Sequence, residues 1–353
     1  MIYFCLLFIV YIFANVDIIN NNDKRLGWIL LLLSLFFLSL FVGFRWNTGS
    51  DWDVYFNNYL YEHSRDFEVG YVFLERLFYL NDFDYSYFLL FISTISIFLI
   101  FFFLFKKVDC ALVAVMFFIA NYMLSFMGGN RQIIAIGIIV ISNFYIIKRK
   151  KFNFLFCIFL ACLFHMSSIV YIIAYFFSSK YMEIYKRYIL LICCLLFGSF
   201  IAPTLISVIF DLFSFLGVTH VVNKLTIYQD VIFNDFSLLS LTKKILMLFL
   251  FDFYYRRVSL KENKFFVNLV YNSYYFSVLF DAIVGPINAA FMRASVYFRI
   301  SEIIIVALIV KSEKSKLNRC VVLLILFILC LRQLYSALNF YPELYIPYNN
   351  ILY

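Results

Sequence analysis

Long apolar runs recur along the whole chain, and they restrict the fold more than any other feature. Residues 26–44 and 86–105, for example, are apolar on every helical face and long enough to cross a bilayer as helices. Transmembrane strands would alternate apolar and polar residues, which these runs do not do. Of the 353 residues, 65% are apolar and 14% charged, unlike a soluble domain. We therefore predict an all-α polytopic membrane protein.

Eleven apolar runs are predicted to form spans within a single integral membrane domain, residues 1–353. They lie at 2–20, 26–44, 86–105, 111–127, 132–147, 152–178, 188–210, 240–255, 265–283, 287–310 and 320–338. Because Lys and Arg favour cytoplasmic loops, the basic clusters place both termini outside, together with an outer loop at 45–85 and a second at 218–239. Loop 45–85 carries eight acids and three bases, which is typical of an outer loop.

One run does not fit this orientation. The basic clusters 148–151 and 256–264 are both predicted inside, yet three runs separate them. The conflict disappears if 152–178 turns back near His165, or if 188–216 forms a hairpin instead. We favour the turn at His165, because it also places inside three further bases, Lys180, Lys186 and Arg187. The chain then has about 12 transmembrane or re-entrant helical segments.

Several function classes lack support in the sequence. The eight cysteines include no CxxC pair and no Cys/His spacing suited to zinc. There is no phosphate-binding glycine loop, and the spacing of Asp51 and Asp53 falls on the outer side, away from nucleotide sugars. The net charge of +8 follows from the loop bias, so it does not indicate nucleic-acid binding. We expect neither a cofactor nor a metal.

Polar residues that interrupt the apolar runs gather on the predicted outer side. Arg45 leaves the second run, Arg131 begins the fifth after two glycines, and Arg293 lies about two turns inside its run. An arginine within a bilayer costs at least ~2.5–3.5 kcal/mol on insertion scales, so a group of them indicates an anionic ligand. Guanidinium groups bind phosphate oxygens in a bidentate manner. A lipid diphosphate is the simplest ligand of this kind.

Acid–base and sugar-binding candidates lie beside these arginines. His165, Asp51 and Glu68 are the candidate bases, and the predicted sugar contacts are Trp46, Trp52, Gln132 and Tyr297. Some of these residues could instead have purely structural roles. Arg45 could pair with Asp51, His165 could bond a carbonyl group, and Arg293 could neutralise Asp281.

Within loop 45–85, the segment that opens at Asp66 is predicted to form an amphipathic helix on the outer surface. Phe67, Tyr71, Leu74 and Phe78 share one helical face, whereas Glu68 and Glu75 fall on other faces.

An ordered set of short motifs resembles the EpsG-type branch of the Wzy-like polysaccharide polymerases. The motifs extend from residue 44 to residue 348 and comprise Phe44-Arg45-Trp46-Asn47-x-Gly49-x-Asp51-x-x-x-Tyr55, Glu68-x-Gly70-Tyr71, Asn130-Arg131-Gln132, Ala161-x-x-Phe164-His165-x-Ser167, Arg293 with Tyr297-Phe298, and Pro347-Tyr348. The chain departs from the family pattern at Asn130, where Met is frequent, and at Trp52, where Tyr is usual.

The resemblance implies a fold and an activity. The expected fold is C-type glycosyltransferase-like, and the expected reaction polymerises undecaprenyl-diphosphate-linked oligosaccharides on the periplasmic face of the bacterial inner membrane, as for O-antigen in lipopolysaccharide. A flippase and a chain-length regulator are the implied partners. Two alternatives remain: a flippase of lipid-linked oligosaccharide, which would show repeated halves, and an O-antigen ligase, which has its large outer loop late in the chain.

Overall fold

The structure is a computed structural model that describes residues 1–20, 23–62, 67–177, 180–201, 204, 207, 238–286 and 289–351. It is 83% helical, and no strand occurs among those residues. Within the described ranges, six helices are long and apolar enough to cross a membrane. The chain is therefore a multi-pass helical membrane protein. Several other predicted spans are broken into shorter helices, as at 111–127, where the helix is interrupted at Tyr122.

The α-helices of the described chain are, in order, α1 (Ile2–Ile19), α2 (Lys24–Gly43), α3 (Trp52–Asn57), α4 (Val69–Tyr79), α5 (Tyr85–Lys107), α6 (Ala111–Asn121), α7 (Met123–Gly128), α8 (Asn130–Ile147), α9 (Lys151–Cys162), α10 (Ile184–Leu196), α11 (Leu238–Lys261), α12 (Lys264–Val284), α13 (Val296–Arg299), α14 (Ser301–Ser312) and α15 (Lys316–Leu338). Short π-helices occupy Asn58–Glu62 and Phe197–Ile201. Three 3₁₀ helices occupy Met166–Phe176, Ala289–Ser295 and Pro342–Leu344.

The helices form two compact units. Unit 1 comprises Met1–Ile172 and Ile303–Tyr353, and unit 2 comprises Ile173–Glu302. In unit 1, α5 packs against α2 and α8, α9 packs against α8, and α1 packs against α6 and α15. In unit 2, α12 packs against α10 and α11.

The two ends of the unit 1 helices differ in charge. At one end, Nζ of Lys316 donates to the carbonyl oxygen of Ile19 at 2.8 Å, and Lys311 pairs with Asp109. The basic residues at the start of α2 and the end of α5 belong to this end, because Lys24 begins α2 shortly after Ile19 and Lys107 ends α5 shortly before Asp109. Of the residues predicted to form the site, Arg45, Glu68, Arg131 and His165 lie at the opposite end of unit 1.

The chain reverses direction at His165. Helix α9 starts directly after α8 and ends at Cys162, and the 3₁₀ helix Met166–Phe176 then returns along α8. The Tyr171 hydroxyl donates to Oδ1 of Asn143 at 2.9 Å, close to the α8 end from which α9 started. Segment 152–178 therefore turns back near His165, as our favoured hypothesis requires. Residues 202–203, 205–206 and 208–216 of the alternative hairpin, and loop 218–239 except its last two residues, lie outside the described residues.

Helix α4 forms where the amphipathic helix was predicted, but one face was predicted wrongly. Tyr71 is buried as expected. Glu75, one turn further along, is buried on the same face, although we had placed it elsewhere. The opposite face exposes an apolar stripe that includes Val69, Phe73 and Leu77. Such a stripe is typical of contact with a bilayer.

Candidate functional site

A charged cluster in unit 1 joins residues that are far apart in the sequence. Nη1 of Arg131 lies 2.6 Å from Oε2 of Glu68. The other oxygen of this carboxylate, Oε1, accepts the backbone N–H of Met166 at 3.1 Å. Nδ1 of His165 lies 3.6 Å from the same Oε1 and 3.3 Å from the hydroxyl oxygen of Ser167. The side chains of Arg131 and Glu68 are 25% and 20% exposed, so a ligand can reach the cluster.

Two aromatic rings hold the Arg131 side chain. Its Cζ lies 4.2 Å from the ring centroid of Phe67 and 5.8 Å from that of Tyr55, and its Nε donates to the Tyr55 hydroxyl at 3.4 Å. Burial raises the pKa of Tyr55 although Arg131 opposes the shift, so the hydroxyl keeps its proton at neutral pH. A guanidinium that is already held in place loses less entropy when it binds an anion.

The backbone brings Glu68 and His165 together. The N–H of Gly70 donates to the carbonyl oxygen of Leu163 at 2.8 Å. A Cβ at position 70 would lie 2.8 Å from that same oxygen, so only glycine allows this approach. The start of α4, with Glu68 directly before it, therefore packs on the turn that carries His165.

Arg45 occupies a position that differs from our expectation. It is 1% exposed. Its Nε donates to the Thr48 carbonyl at 3.2 Å, Nη1 to the Val42 carbonyl at 2.5 Å, and Nη2 to Oδ1 of Asn130 at 2.7 Å. A buried guanidinium whose three nitrogens all bond protein oxygens offers no surface to a diphosphate. It instead ties the end of α2 to the first residue of α8, beside Arg131.

The polar loop that follows Arg45 is held by the C-terminal tail. Gly49 has a φ of 115°, and a Cβ there would lie 2.3 Å from the carbonyl oxygen of Met127. Its N–H donates to the carbonyl of Leu344 at 3.0 Å, and the N–H of Trp46 donates to that of Asn349 at 2.9 Å. The loop that contains the candidates Trp46 and Asp51 is thus largely a packed junction.

The two tryptophans differ in access. Trp52 is buried, stacks on Phe56 with ring centroids 4.7 Å apart, and meets Trp46 edge-on at 4.9 Å. Protein rings therefore cover Trp52, and the sugar contact that we expected from it is not available. Trp46 is half-buried and keeps part of its ring accessible.

Asp51 and Gln132 lie next to members of the cluster. Asp51 precedes α3 and is half-buried, and its carbonyl oxygen accepts the N–H of Tyr55 at 3.1 Å. Gln132 follows Arg131 in the first turn of α8 and is also half-buried.

Arg293 and Tyr297 belong to unit 2. Arg293 is exposed in the 3₁₀ helix Ala289–Ser295. Asp281, which could have neutralised it, pairs with Nζ of Lys244 at 2.6 Å. Tyr297 is fully buried, so its ring is closed to a sugar, contrary to our expectation. That Arg293 shares a site with Arg131 stays a prediction.

Glu75 is a buried acid whose environment sequence reasoning missed. Nδ2 of Asn58 donates to its Oε2 at 2.6 Å, while Oε1 has no hydrogen-bond partner among the described residues. Burial raises its pKa to about 7, although Asn58 and Arg76 oppose the shift. Its charge led us to place it away from the apolar face of the predicted helix.

Sequence reasoning also missed a buried arginine–aspartate pair in unit 2. Arg187 is fully buried, and its Nη2 lies 3.2 Å from Oδ1 of Asp252. Its Cζ lies 4.5 Å and 4.1 Å from the ring centroids of Tyr181 and Tyr275. The Tyr188 hydroxyl donates to Oδ2 of Asp252 at 2.8 Å. We had interpreted Arg187 only as a marker of the inner side of the membrane. Its ion pair was not recognised because Asp252 is 65 residues distant and the other contacts are aromatic rings.

The described parts of the chain contain no group of three His, Cys, Asp or Glu side chains that could hold a metal ion. The arrangement around Arg131 thus offers a fixed cation, a carboxylate and an imidazole within one exposed cluster. Such a set can bind an anion and accept a proton beside it.

Fold and site together define a polytopic helical membrane protein with an open arginine–carboxylate–histidine cluster at one end of a helical unit. A sequence model of the EpsG family matches residues 28–350. The chain therefore belongs to the EpsG family, a Wzy-like family of polysaccharide polymerases. No curated protein and no solved structure matches the chain. The family resemblance indicated by the dispersed motifs is confirmed.

Proposed function

We propose that the chain joins undecaprenyl-diphosphate-linked oligosaccharide repeat units on the outer face of the bacterial cytoplasmic membrane. The product would be O-antigen or a similar surface polysaccharide. The observation that carries this proposal is the meeting of Arg131, Glu68 and His165 at the end of unit 1 opposite its basic residues. If the basic end faces the cytoplasm, the cluster faces the side on which lipid-linked units are polymerised.

Arg131 is the proposed diphosphate ligand. A guanidinium has five N–H donors, so the contacts of Nη1 with Glu68 and Nε with Tyr55 leave donors for phosphate oxygens. Arg131 also lies in the first turn of α8, where the helix dipole favours an anion. As the carrier leaves, this fixed positive charge stabilises the departing diphosphate. Arg293 is the proposed second ligand.

The transfer forms one bond and breaks one. The acceptor hydroxyl oxygen attacks the anomeric carbon of the growing chain, and the bond from that carbon to the diphosphate breaks. The hydroxyl proton passes to His165, with Glu68 or Asp51 as alternatives. Because Nδ1 of His165 faces Oε1 of Glu68, the carboxylate stabilises the imidazolium that forms and leaves proton acceptance to Nε2.

The remaining elements of the proposal concern the sugar contacts, Arg45 and the partner proteins. Trp46 and Gln132 are the proposed sugar contacts, and Arg45 supports Arg131 through Asn130. A C-type glycosyltransferase-like architecture, and cooperation with a flippase and a chain-length regulator, complete it.

The test is polymerisation by the purified full-length chain in nanodiscs, supplied only with lipid-linked repeat units. We expect a ladder of longer lipid-linked chains on a gel. A flippase would leave the units at their original length, and a ligase would need a different acceptor. Either result would refute the proposal. If Arg131→Ala and Arg293→Ala both polymerise at the wild-type rate, the diphosphate-binding mechanism is wrong even though the activity stands.

A further inference from the structure

A groove of about 670 Å³ opens in unit 1 beside the charged cluster. Its volume falls within the range of about 300–1,000 Å³ that is usual for small-molecule sites. The groove lies between the end of α3 with its π-helix, the end of α4, and the start of α5. The residues on which its chemistry depends are Trp46, Tyr79, Asp82, Phe83, Asp84 and Tyr85.

Aromatic rings form the walls of the groove. Tyr79 and Phe83 are exposed, and Trp46 is half-buried. Buried rings support them from behind: Tyr59 lies 5.3 Å from Tyr85 and 5.8 Å from Tyr79, centroid to centroid. The Tyr59 hydroxyl also bonds the Phe83 carbonyl at 2.5 Å. The exposed rings are therefore held rigidly, which lowers the entropic cost of stacking a ligand on them.

Two carboxylates stand at the edge of these walls. Asp82 has a φ of 56°, a left-handed conformation that Asp tolerates, and Asp84 directly precedes α5. Both are exposed. An ionised carboxylate only accepts hydrogen bonds, and it can receive two hydroxyl groups at once. Adjacent carboxylates would repel a phosphate, and they are costly to cover with an acyl chain.

The combination fits one chemical class. A pyranose ring has apolar C–H faces that stack on aromatic rings and an equatorial belt of hydroxyl donors that carboxylates accept. A flat aromatic wall alone would also suit a lipid, and carboxylates alone would suit a cation. Together in one groove they favour an uncharged or amino saccharide.

The groove is joined to the charged cluster by neighbouring residues. On α3, Tyr55 contacts Arg131, whereas Phe56, the next residue, lines the groove. Nδ2 of Asn130, which directly precedes Arg131, donates to the Tyr85 hydroxyl at 3.3 Å. We infer that the groove binds the oligosaccharide of the substrate while Arg131 holds its diphosphate. This inference rests on the proposed function and names the subsite that receives the sugar.

Direct binding tests the inference. The probe is the repeat-unit oligosaccharide released by mild acid from the lipid-linked pool, titrated onto the full-length chain in nanodiscs and followed by saturation-transfer NMR. We expect Tyr79→Ala and Asp82→Asn each to weaken binding about threefold to tenfold. Asp84→Asn provides a third variant if either of these fails to fold. The matched controls, Tyr335→Ala and Asp53→Asn, change exposed residues outside the groove and should bind like the wild type.

Turnover by the same variants identifies which oligosaccharide occupies the groove. If it is the incoming unit, the KM for that unit rises and the chain-length distribution stays the same. If it is the growing chain, the products become shorter. Longer oligosaccharides then bind more tightly than single units.

The two proposals fail in different ways. Wild-type affinity in all three groove variants, with polymerisation by the wild-type chain, overturns the groove and leaves the function standing. Oligosaccharide binding that depends on Tyr79 and Asp82, without polymerisation by the wild-type chain, supports the groove and overturns the function.

Discussion

The two units each contain an arginine that is stacked on aromatic rings and paired with an acid, but the pairs differ in exposure. Arg131 and Glu68 in unit 1 are 25% and 20% exposed, whereas Arg187 and Asp252 in unit 2 are 0% and 1% exposed. The Arg131 pair adjoins a histidine and an open groove. The Arg187 pair is enclosed by tyrosines.

Exposure decides what each pair can do. A partly exposed ion pair contributes only about 0–1 kcal/mol to stability. Arg131 can therefore exchange its contact with Glu68 for a contact with a ligand at little cost. Removing one member of a buried pair leaves an uncompensated charge and costs about 3–5 kcal/mol. The same combination of an arginine, an acid and aromatic rings is thus accessible to a ligand in unit 1 and enclosed in unit 2.

The largest effect is expected at the buried pair. Arg187→Ala leaves Asp252 without its cation and should lower the free energy of unfolding by about 3–5 kcal/mol. The measurement is unfolding of the purified chain in mixed micelles by SDS titration. Lys186→Ala is the matched control, since its ion pair with Glu183 is exposed and its loss should not change the unfolding midpoint. Equal midpoints for the two variants would show that the Arg187 pair does not hold unit 2 together.

At the open pair, chemistry should change more than stability. Glu68→Gln keeps the shape of the side chain but removes the charge that faces Arg131 and His165, so we expect turnover to fall about 10- to 100-fold. The unfolding midpoint should change by less than the equivalent of about 1 kcal/mol. A loss of stability as large as that of Arg187→Ala would mean that the pair is structural.

A smaller effect is expected where the backbone sets the cluster. Gly70→Ala brings a Cβ to 2.8 Å from the Leu163 carbonyl oxygen and should push Glu68 away from the His165 turn, reducing turnover about tenfold. Gly129→Ala is the matched control, because its nearest new contact is an ordinary 3.6 Å. If both variants retain full activity, the spacing of α4 and the turn does not matter to catalysis.

Glu75 should make the stability of the chain depend on pH. Its pKa is raised from 4.5 to about 7 by burial, so the folded chain holds this proton more tightly than the unfolded chain does. Stability from this group is therefore full below about pH 4.5 and declines as the pH rises towards 7. Glu75→Gln should remove the decline, a difference on the order of 3 kcal/mol at pH 8. Glu343 is an exposed acid, so Glu343→Gln should leave the pH profile unchanged. If Glu75 stays ionised in the folded chain, Glu75→Gln would also leave the profile unchanged, which would contradict the prediction.

The long apolar runs correctly predicted a multi-pass helical membrane protein, because spans depend on composition over about 20 residues. The bias of basic residues favoured the reversal at His165, since that bias allows few topologies. Glu68, Arg131 and His165 were predicted as site residues, and the structure brings them together.

Burial of single polar side chains could not be predicted in the same way. Arg45 and Trp52 looked accessible, because the sequence does not show that the C-terminal tail covers their loop. The Arg187 pair and Glu75 depend on partners from distant helices. Such pairings become visible only when the helices are packed.

The rate of chain elongation by Arg131→Lys tests most directly whether Arg131 binds the diphosphate. Its unfolding midpoint is measured on the same nanodisc preparation. Lysine keeps the charge but not the planar pair of donors that matches phosphate oxygens. We expect elongation to fall about 100-fold or more while the midpoint stays at the wild-type value. Elongation at the wild-type rate would show that the open cluster in unit 1 does not form the catalytic site.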